Sequence, residues 1–280
     1  MDEQEEGLKI RLVVVALDAS HHSLAALRAA AELASSLEAE VLGLFVEDVN
    51  LLHAAGLPMA RELRFPFARH AQMTPQRMKR QLRAQALQAR RALSSICEPQ
   101  GIEWSFKVVR GRVSSKLLEE AAKADLLCVG RASRPVMQGP RTGSTARAAA
   151  VRAQQSVLVI SQEARIQAPV VATYDGSPEA DEALLLARRL AIETGGFISI
   201  LVPAGSSISP EELQERLADR FGGKDIVVRY RELAGSGVMS IIRGAQMEGC
   251  GTLVVSRASL LQEEISKLLD GVECPVVLTK

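Results

Sequence analysis

Leu12-Val13-Val14-Val15-Ala16-Leu17 runs directly into Asp18-Ala19-Ser20, and the reading of this stretch decides the fold. A continuous apolar, β-branched run predicts a strand covered on both faces, as strands of a parallel sheet are. An alanine- and leucine-rich stretch from about Ser23 to Leu37 predicts the helix that follows, and Glu40 to Val46 the next strand. The segment is therefore a βαβ unit. The same unit returns at Pro169-Val170-Val171-Ala172-Thr173-Tyr174, followed by Asp175-Gly176-Ser177. There Ser177 reads as an N-cap, Pro178 as the first helical residue, Gly195-Gly196 as the helix stop and Phe197 to Val202 as the second strand.

Two further anchors extend the repeat. Leu127-Cys128-Val129-Gly130 leads into Arg131-Ala132-Ser133, and Leu253-Val254-Val255-Ser256 leads into Arg257-Ala258-Ser259. The closing strands are Val157-Leu158-Val159 and Val276-Val277-Leu278. The offset falls from 157 (Asp18 to Asp175) to 126 (Arg131 to Arg257) to 119 (Val157 to Val276). A repeat with a falling offset implies two homologous domains, the second shortened twice. The first loss matches the arm from about Glu47 to Gln76. The second lies between the fourth strand and the closing strand.

The expected fold class is α/β, with two tandem doubly wound domains. Each has a five-stranded parallel sheet, residues 1–163 forming the first and 168–280 the second, with the polar stretch Gln162 to Ala168 between them. Strands of the first domain are expected near 10–17, 40–46, 102–109, 125–130 and 156–160.

Composition sets the outer limits. Apolar residues make up 47% of the 280, enough for two cores. Aromatics are only 3%, which argues against a base-stacking platform, and a net charge of +1 does not steer the chain to nucleic acid or membrane. No apolar run is long enough for a transmembrane helix. The acidic stretch Met1 to Gly7 does not read as a secretory signal, so the expected location is cytoplasmic. Cys97, Cys128, Cys250 and Cys274 form no CxxC pair, and the reading is a reduced protein without disulfides or a zinc site.

In an open parallel sheet, ligands bind at the carboxyl ends of the strands. The residues expected there are Asp18, Ala19 and Ser20, then Val46 and Glu47, then the segment from Gly130 to Ser144. This last reads Gly130-Arg131-Ala132-Ser133, nine residues, then Gly143-Ser144-Thr145 at a helix start. Glycine beside Ser and Thr at a helix N-terminus offers free N–H groups and hydroxyls, which suit a phosphate chain. Asp18 on the opposite lip is an acceptor for ribose hydroxyls or an adenine amino group.

The pattern Gly-x2-Gly-x9-Gly-Ser/Thr, behind an Asp-x-Ser first turn, resembles the universal stress protein family over most of both domains except the 47–76 arm. The resemblance implies the adenine nucleotide alpha hydrolase-like fold, strand order 3-2-1-4-5, and in one branch ATP binding. By position, Asp18, Ala16 and Val46 would contact the adenosine. Val129, Gly130 and Ser133 would line the ribose and phosphate side, and Gly143, Ser144 and Thr145 would hold the phosphates, with magnesium as an accompanying ion. Ser133 stands where the family has its second glycine. The resemblance also implies pairing of the two closing strands, 156–160 against 275–279, in imitation of a dimer, with homodimerisation of the whole chain as a further alternative. An unidentified protein partner completes this picture.

The second domain departs fully from the pattern. Ser256 replaces Gly130, and counting back from the closing strand puts Gln262 and Glu263 opposite Gly143 and Ser144. A carboxylate there repels phosphate. The expected function is a cytosolic stress-response regulatory module that binds ATP or another adenine nucleotide in domain 1 only. The alternatives are a nucleotide-free interaction scaffold and a slow ATP hydrolase. No Ser-His-Asp set and no Walker Gly-Lys-Ser/Thr is present, so enzyme activity is the less favoured reading. Glu47 or Asp48 could place a water or magnesium, and Arg131, Arg134 and Arg141 lie in the phosphate loop. His21 and His22 read as first-turn residues. The basic run from Arg61 to Arg91 could meet an acidic partner or nucleic acid, and a helix with Met78, Leu82, Ala86, Ala89 and Leu93 facing the sheet and arginines facing water explains it as well.

Overall fold

A computed structural model describes residues 10–57, 74–131, 142–206, 208, 212–213, 215–216 and 226–280, with 61–64 and 69–72 as backbone. Strand β1 (Leu12–Leu17) leads into helix α1 (His21–Leu37), β2 (Glu40–Asp48) and the short α2 (Val49–Ala55). A small antiparallel hairpin, β3 (Arg61–Arg64) and β4 (Arg69–Gln72), precedes the long α3 (Pro75–Cys97). The first half closes with β5 (Trp104–Gly111), α4 (Val113–Ala121), β6 (Leu126–Gly130), α5 (Ser144–Arg152) and β7 (Ser156–Ile160). The second half comprises β8 (Val170–Thr173), α6 (Pro178–Glu193), β9 (Phe197–Val202), β10 (Val227–Glu232), α7 (Val238–Met247), β11 (Thr252–Ser256), α8 (Gln262–Gly271) and β12 (Val276–Thr279).

Ten strands form one sheet in the order β10-β9-β8-β11-β12-β7-β6-β1-β2-β5. Taken in its own chain order, each half reads 3-2-1-4-5, as the resemblance implied. Every pair is parallel except at the centre, where β7 meets β12 antiparallel with Val157 opposite Leu278, Leu158 opposite Val277 and Val159 opposite Val276. This is the expected pairing of the closing strands, and it covers an edge in each half that would otherwise offer unpaired backbone groups.

Apolar side chains cover both faces of this sheet. Residues of α1, α3 and α6 pack on one face, and residues of α4, α5, α7 and α8 on the other, and both clusters continue across the seam. Residues of the inner strands β1, β6, β7, β8, β11 and β12 are largely buried on both faces, which explains their unbroken apolar runs, whereas the edge strands β5 and β10 are half-buried or exposed. Helix α3 buries Met78, Leu82, Ala86, Ala89, Leu93 and Cys97, while Arg77, Lys79, Arg80, Arg83, Arg90 and Arg91 are exposed, so the period of its sequence was read correctly. Helix α1 starts two residues earlier than its alanine pattern suggested. The Ser20 side chain caps it by accepting from Ser23 N, which draws His21 and His22 into the first turn.

Two arginines bind the halves together. Arg131, at the end of β6, is only 4% exposed, and its guanidinium donates to the carbonyls of Leu269 (2.6 Å) and Val272 (2.5 Å) at the end of α8. Arg257, at the end of β11, donates to the carbonyls of Ala153 and Gln155 (2.8 Å) at the end of α5. Val272 and Ala153 are the C-caps of the two helices, so each half inserts the same residue into the same place on the other. Such reciprocity characterises a two-fold, isologous interface. Each cation lies at the negative end of a helix and satisfies carbonyls that have no partner within it. Burial pushes both guanidinium pKa values down, opposed at Arg131 by Asp270, Cys274 and Glu273.

Replacing Arg257 or Arg131 with Met should therefore lower the unfolding free energy by about 2–4 kcal/mol each, since charged hydrogen bonds to buried carbonyls are lost. Urea unfolding of both variants measures this. Losses below about 0.5 kcal/mol in both would show that the seam holds without them.

Candidate functional site

The carboxyl ends of β1, β2 and β6 lie side by side. Val13 to Val15 pair with Leu126 to Cys128, and Leu12 to Leu17 pair with Glu40 to Phe45. Asp18, Val46 and Gly130 therefore emerge at the same edge of the sheet. Ala16 and Val46 are half-buried and Val129 is buried, while Asp18 is exposed. One Asp18 oxygen accepts from Ser20 N at 2.9 Å, a local turn that keeps the carboxylate at the rim, and Asp18 N donates to Ser23 Oγ at 3.3 Å.

Gly130 is fixed by a close approach. A Cβ on it would lie 2.5 Å from both the carbonyl carbon and the carbonyl oxygen of His22, in the first turn of α1. The glycine thus lets β6 come up against the helix that begins beside Asp18. His22 contributes an Nδ1 that is buried and without a partner among the described residues. Ala19, between Asp18 and Ser20, has φ of 62°, a left-handed conformation that costs an L-residue roughly 1 kcal/mol or more. Its counterpart in the second half is Gly176, with φ of 88° and no such cost.

At the other side of the cleft, Gly143 is the N-cap of α5 and supplies no side-chain cap. Ser144 is exposed and Thr145 half-buried in the first turn of that helix. Among the described residues nothing accepts from their N–H groups, which helix geometry leaves free. One residue earlier, Thr142 N donates to Asp270 of α8 at 2.8 Å, and the other Asp270 oxygen pairs with Arg147 at 3.3 Å. Ser133, Arg134 and Arg141 lie outside the described residues.

Three expectations change. Arg131 belongs to the seam rather than to the phosphate loop, because the carbonyls of Leu269 and Val272 take its guanidinium. Glu47 is held by Arg110 through Nε (2.9 Å) and Nη2 (2.6 Å), its partner in register on β5. Asp48 caps α2 by accepting from Asn50 N at 2.9 Å. Both acids are thus already engaged, each through a single carboxylate oxygen.

The second half fills or caps the same positions. Tyr174 replaces Leu17, is buried, and donates its hydroxyl to Asp181 at 2.8 Å. Burial holds the Tyr174 phenol above its ordinary pKa. Asp175 accepts from both N (3.0 Å) and Oγ (2.6 Å) of Ser177 through a single oxygen. The N-terminus of α8 carries Glu263 and Glu264, and Glu264 accepts from Leu261 N at 2.9 Å. The N-cap is Leu261, so the counterpart of Gly143 is one residue earlier than the offset of the closing strands suggested. Helix α8 begins with one extra residue. A cavity of about 250 Å3 remains there, lined by Tyr174, Asp175, Gly205, Ser236 and Ser256 among others.

Sequence reasoning missed Asp270, the cross-half role of Arg131 and the strain at Ala19. A signal for Arg131 was present: Arg-Ala-Ser recurs at 257–259 in a half whose phosphate pattern is gone, so its arginine serves something both halves share.

A family model described as the universal stress protein family matches residues 9–161. Among solved structures, a universal stress protein from Archaeoglobus fulgidus superposes with a TM-score of 0.73 at 15% identity, over 96% of this chain and 98% of that one. A protein described as a universal stress protein from Pseudomonas aeruginosa gives 0.64 at 13% identity, over 97% and 93%. No curated protein matches the sequence.

Two substitutions probe the local geometry. Gly130→Ala should cost about 1–3 kcal/mol, since backbone rather than a pliable side chain blocks the new methyl. Ala19→Gly should be neutral to stabilising by up to about 1 kcal/mol, because strain relief exceeds the added freedom of the unfolded chain. Chemical denaturation gives both values, and a stable Gly130→Ala protein would refute the close approach.

Proposed function

The chain belongs to the universal stress protein family, and from that premise we propose that it binds ATP or another adenine nucleotide in the cleft of its first half. The supporting observation is the contrast between two equivalent helices. Helix α5 starts at a glycine without a side-chain cap, whereas α8 carries two carboxylates in its first turn. A helix start with free amides attracts an anion, and one already supplied with carboxylates repels it. The second half is then a partner in folding and signalling rather than a second nucleotide site, with the division of the chain at residues 163–168.

In this reading Ala16, Val46 and Val129 offer apolar walls to the adenosine, and the free oxygen of Asp18 accepts from its hydroxyl or amino groups. Gly130 keeps the end of β6 against the first turn of α1, beside Asp18. Gly143, Ser144 and Thr145 receive the phosphates, Ser133 adds a hydroxyl, and magnesium would arrive bound to the phosphate chain. The two residues that bracket the loop, Arg131 and Thr142, both bond to the end of α8. Nucleotide that shifts Arg131 or Thr142 would therefore be felt in the second half, which suits a stress-response regulator that signals to a protein partner. No helix among the described residues is long and apolar enough to cross a membrane.

A second reading has one observation in its favour. Asp270 already places a carboxylate at the Thr142 amide, beside the phosphate position. A nucleotide-free scaffold would use this contact simply to complete the end of α5.

Denaturing the purified protein and identifying the released small molecules separates the two. Adenine nucleotide at about one per chain, absent from Gly143→Glu and reduced in Asp18→Ala, is the expected result. ATP at about one hundred times its Kd should also stabilise the folded protein by about 2.7 kcal/mol. No nucleotide, together with no thermal shift at millimolar ATP and magnesium, would leave the scaffold.

A further inference from the structure

Cys250 follows α7 and Cys274 precedes β12, and their sulfurs stand 3.1 Å apart although 24 positions separate them in sequence. That is closer than the roughly 3.5–4.0 Å at which unbonded carbon atoms rest. It is about 1 Å beyond a disulfide bond of about 2.05 Å. Both side chains are half-buried, and both line a cavity of about 520 Å3 beside the seam, shared with Arg131, Gln167 and Glu273. The other two cysteines, Cys97 and Cys128, are buried, and burial pushes both thiols up.

The surroundings distinguish the two sulfurs of the pair. Either sulfur can donate in this contact, but the Arg131 guanidinium lies close enough to favour negative charge on Cys274, so a hydrogen bond from Cys250 together with that cation holds Cys274 below the ordinary thiol range against the effect of its burial. Cys250, which keeps the proton, is pushed up by the same hydrogen bond and by burial. A thiolate-prone sulfur beside a cation, with a second thiol in contact, is the arrangement expected of a reactive cysteine and the partner that resolves it.

We propose that Cys250 and Cys274 form an oxidation site that reacts with a hydroperoxide and closes to an intramolecular disulfide. The Cys274 thiolate attacks one peroxide oxygen. The O–O bond breaks, and the leaving hydroxide takes a proton to become water. Cys274 is now a sulfenic acid. Cys250, giving up its proton, attacks the Cys274 sulfur, the S–O bond breaks, and a second water leaves. The two thiols together lose two electrons and two protons, and one hydrogen peroxide is reduced to two waters. The sulfurs need approach by only about 1 Å, and the cavity admits the oxidant. This site is independent of nucleotide binding and holds whether or not the first half takes a ligand.

The test treats the folded full-length chain with hydrogen peroxide, blocks remaining thiols with an alkylating reagent after denaturation, and maps the peptides by mass spectrometry. A linked Cys250–Cys274 peptide should appear, with free thiols falling from four to two and returning to four with dithiothreitol. In Cys250→Ser the reaction should stop at a sulfenic acid on Cys274, trapped by dimedone, with Cys97 and Cys128 still alkylated. The wild-type result does not depend on how well that variant folds. The proposal is overturned if all four thiols survive peroxide that fully oxidises free cysteine under the same conditions. It is equally overturned if the only disulfides join different chains, or if Cys274 proceeds to sulfinic acid without ever linking to Cys250.

Discussion

Val157, Leu158 and Val159 pair with Leu278, Val277 and Val276 in a short antiparallel ladder, and the shape of the molecule depends on it. A parallel five-stranded sheet leaves its last strand with unpaired N–H and C=O groups, and two such sheets can join there only in a way that satisfies both. Antiparallel pairing of like strands is inherently two-fold, so whatever each half offers at its closing edge meets its own counterpart. Arg131 and Arg257 obey that rule. Each leaves the end of its fourth strand and reaches the C-terminal carbonyls of the helix across the seam. A buried guanidinium is costly unless hydrogen-bonded, and a helix end is a dense source of acceptors.

The seam also explains why the halves could diverge so far elsewhere. Both kept what the interface needs: the closing strand, the arginine and the helix it grips. Outside it, selection on each half could differ. Ala19 sits in a left-handed conformation while Gly176 occupies the matching place without strain, and strain of this kind is retained where the surroundings over-determine it. Asp18 and Asp175 each accept through a single oxygen, but Asp18 is exposed while Asp175 is half-buried and also takes the hydroxyl of Ser177. Tyr174 and the carboxylates of α8 occupy what Leu17 and Gly143 leave open. The fold survives these changes because they fall at strand ends and helix starts and leave the strand pairings intact.

What could be read in the sequence follows the range of the interactions. The inner strands were legible because burial on both faces demands unbroken apolar runs, while the edge strand β10, Val227–Glu232, carries charged residues, has no buried position and gave no such signal. The inner face of α3 was legible because its period is local, with Met78, Leu82, Ala86, Ala89 and Leu93 on one side. The start of α1 was misread by two residues, since the alanine pattern spoke for the helix and the cap at Ser20 decided where it began. Contacts between distant residues were the least legible. Asp270 meets Thr142 across 128 positions, and Arg131 meets Val272 across 141. No periodicity encodes such a meeting. The cysteine pair was hidden for the same reason: without a CxxC spacing, only the fold brings Cys250 beside Cys274.

Arg131 connects the seam, the candidate cleft and the cysteine pair. It ends β6 one residue past the glycine that packs on α1, its guanidinium holds the end of α8, and its charge favours the thiolate form of Cys274. The next residue along α8 from Leu269 is Asp270, which binds the backbone just ahead of α5. The candidate phosphate loop therefore starts and finishes on one helix end contributed by the other half. Arg131 and Thr142, the described residues that flank it, are held by α8 without any ligand, and a site whose flanks are already fixed binds at lower ordering cost. If the first half takes a nucleotide as proposed, the second half would then contribute to its affinity. That is a physical reason for the two to remain in one chain.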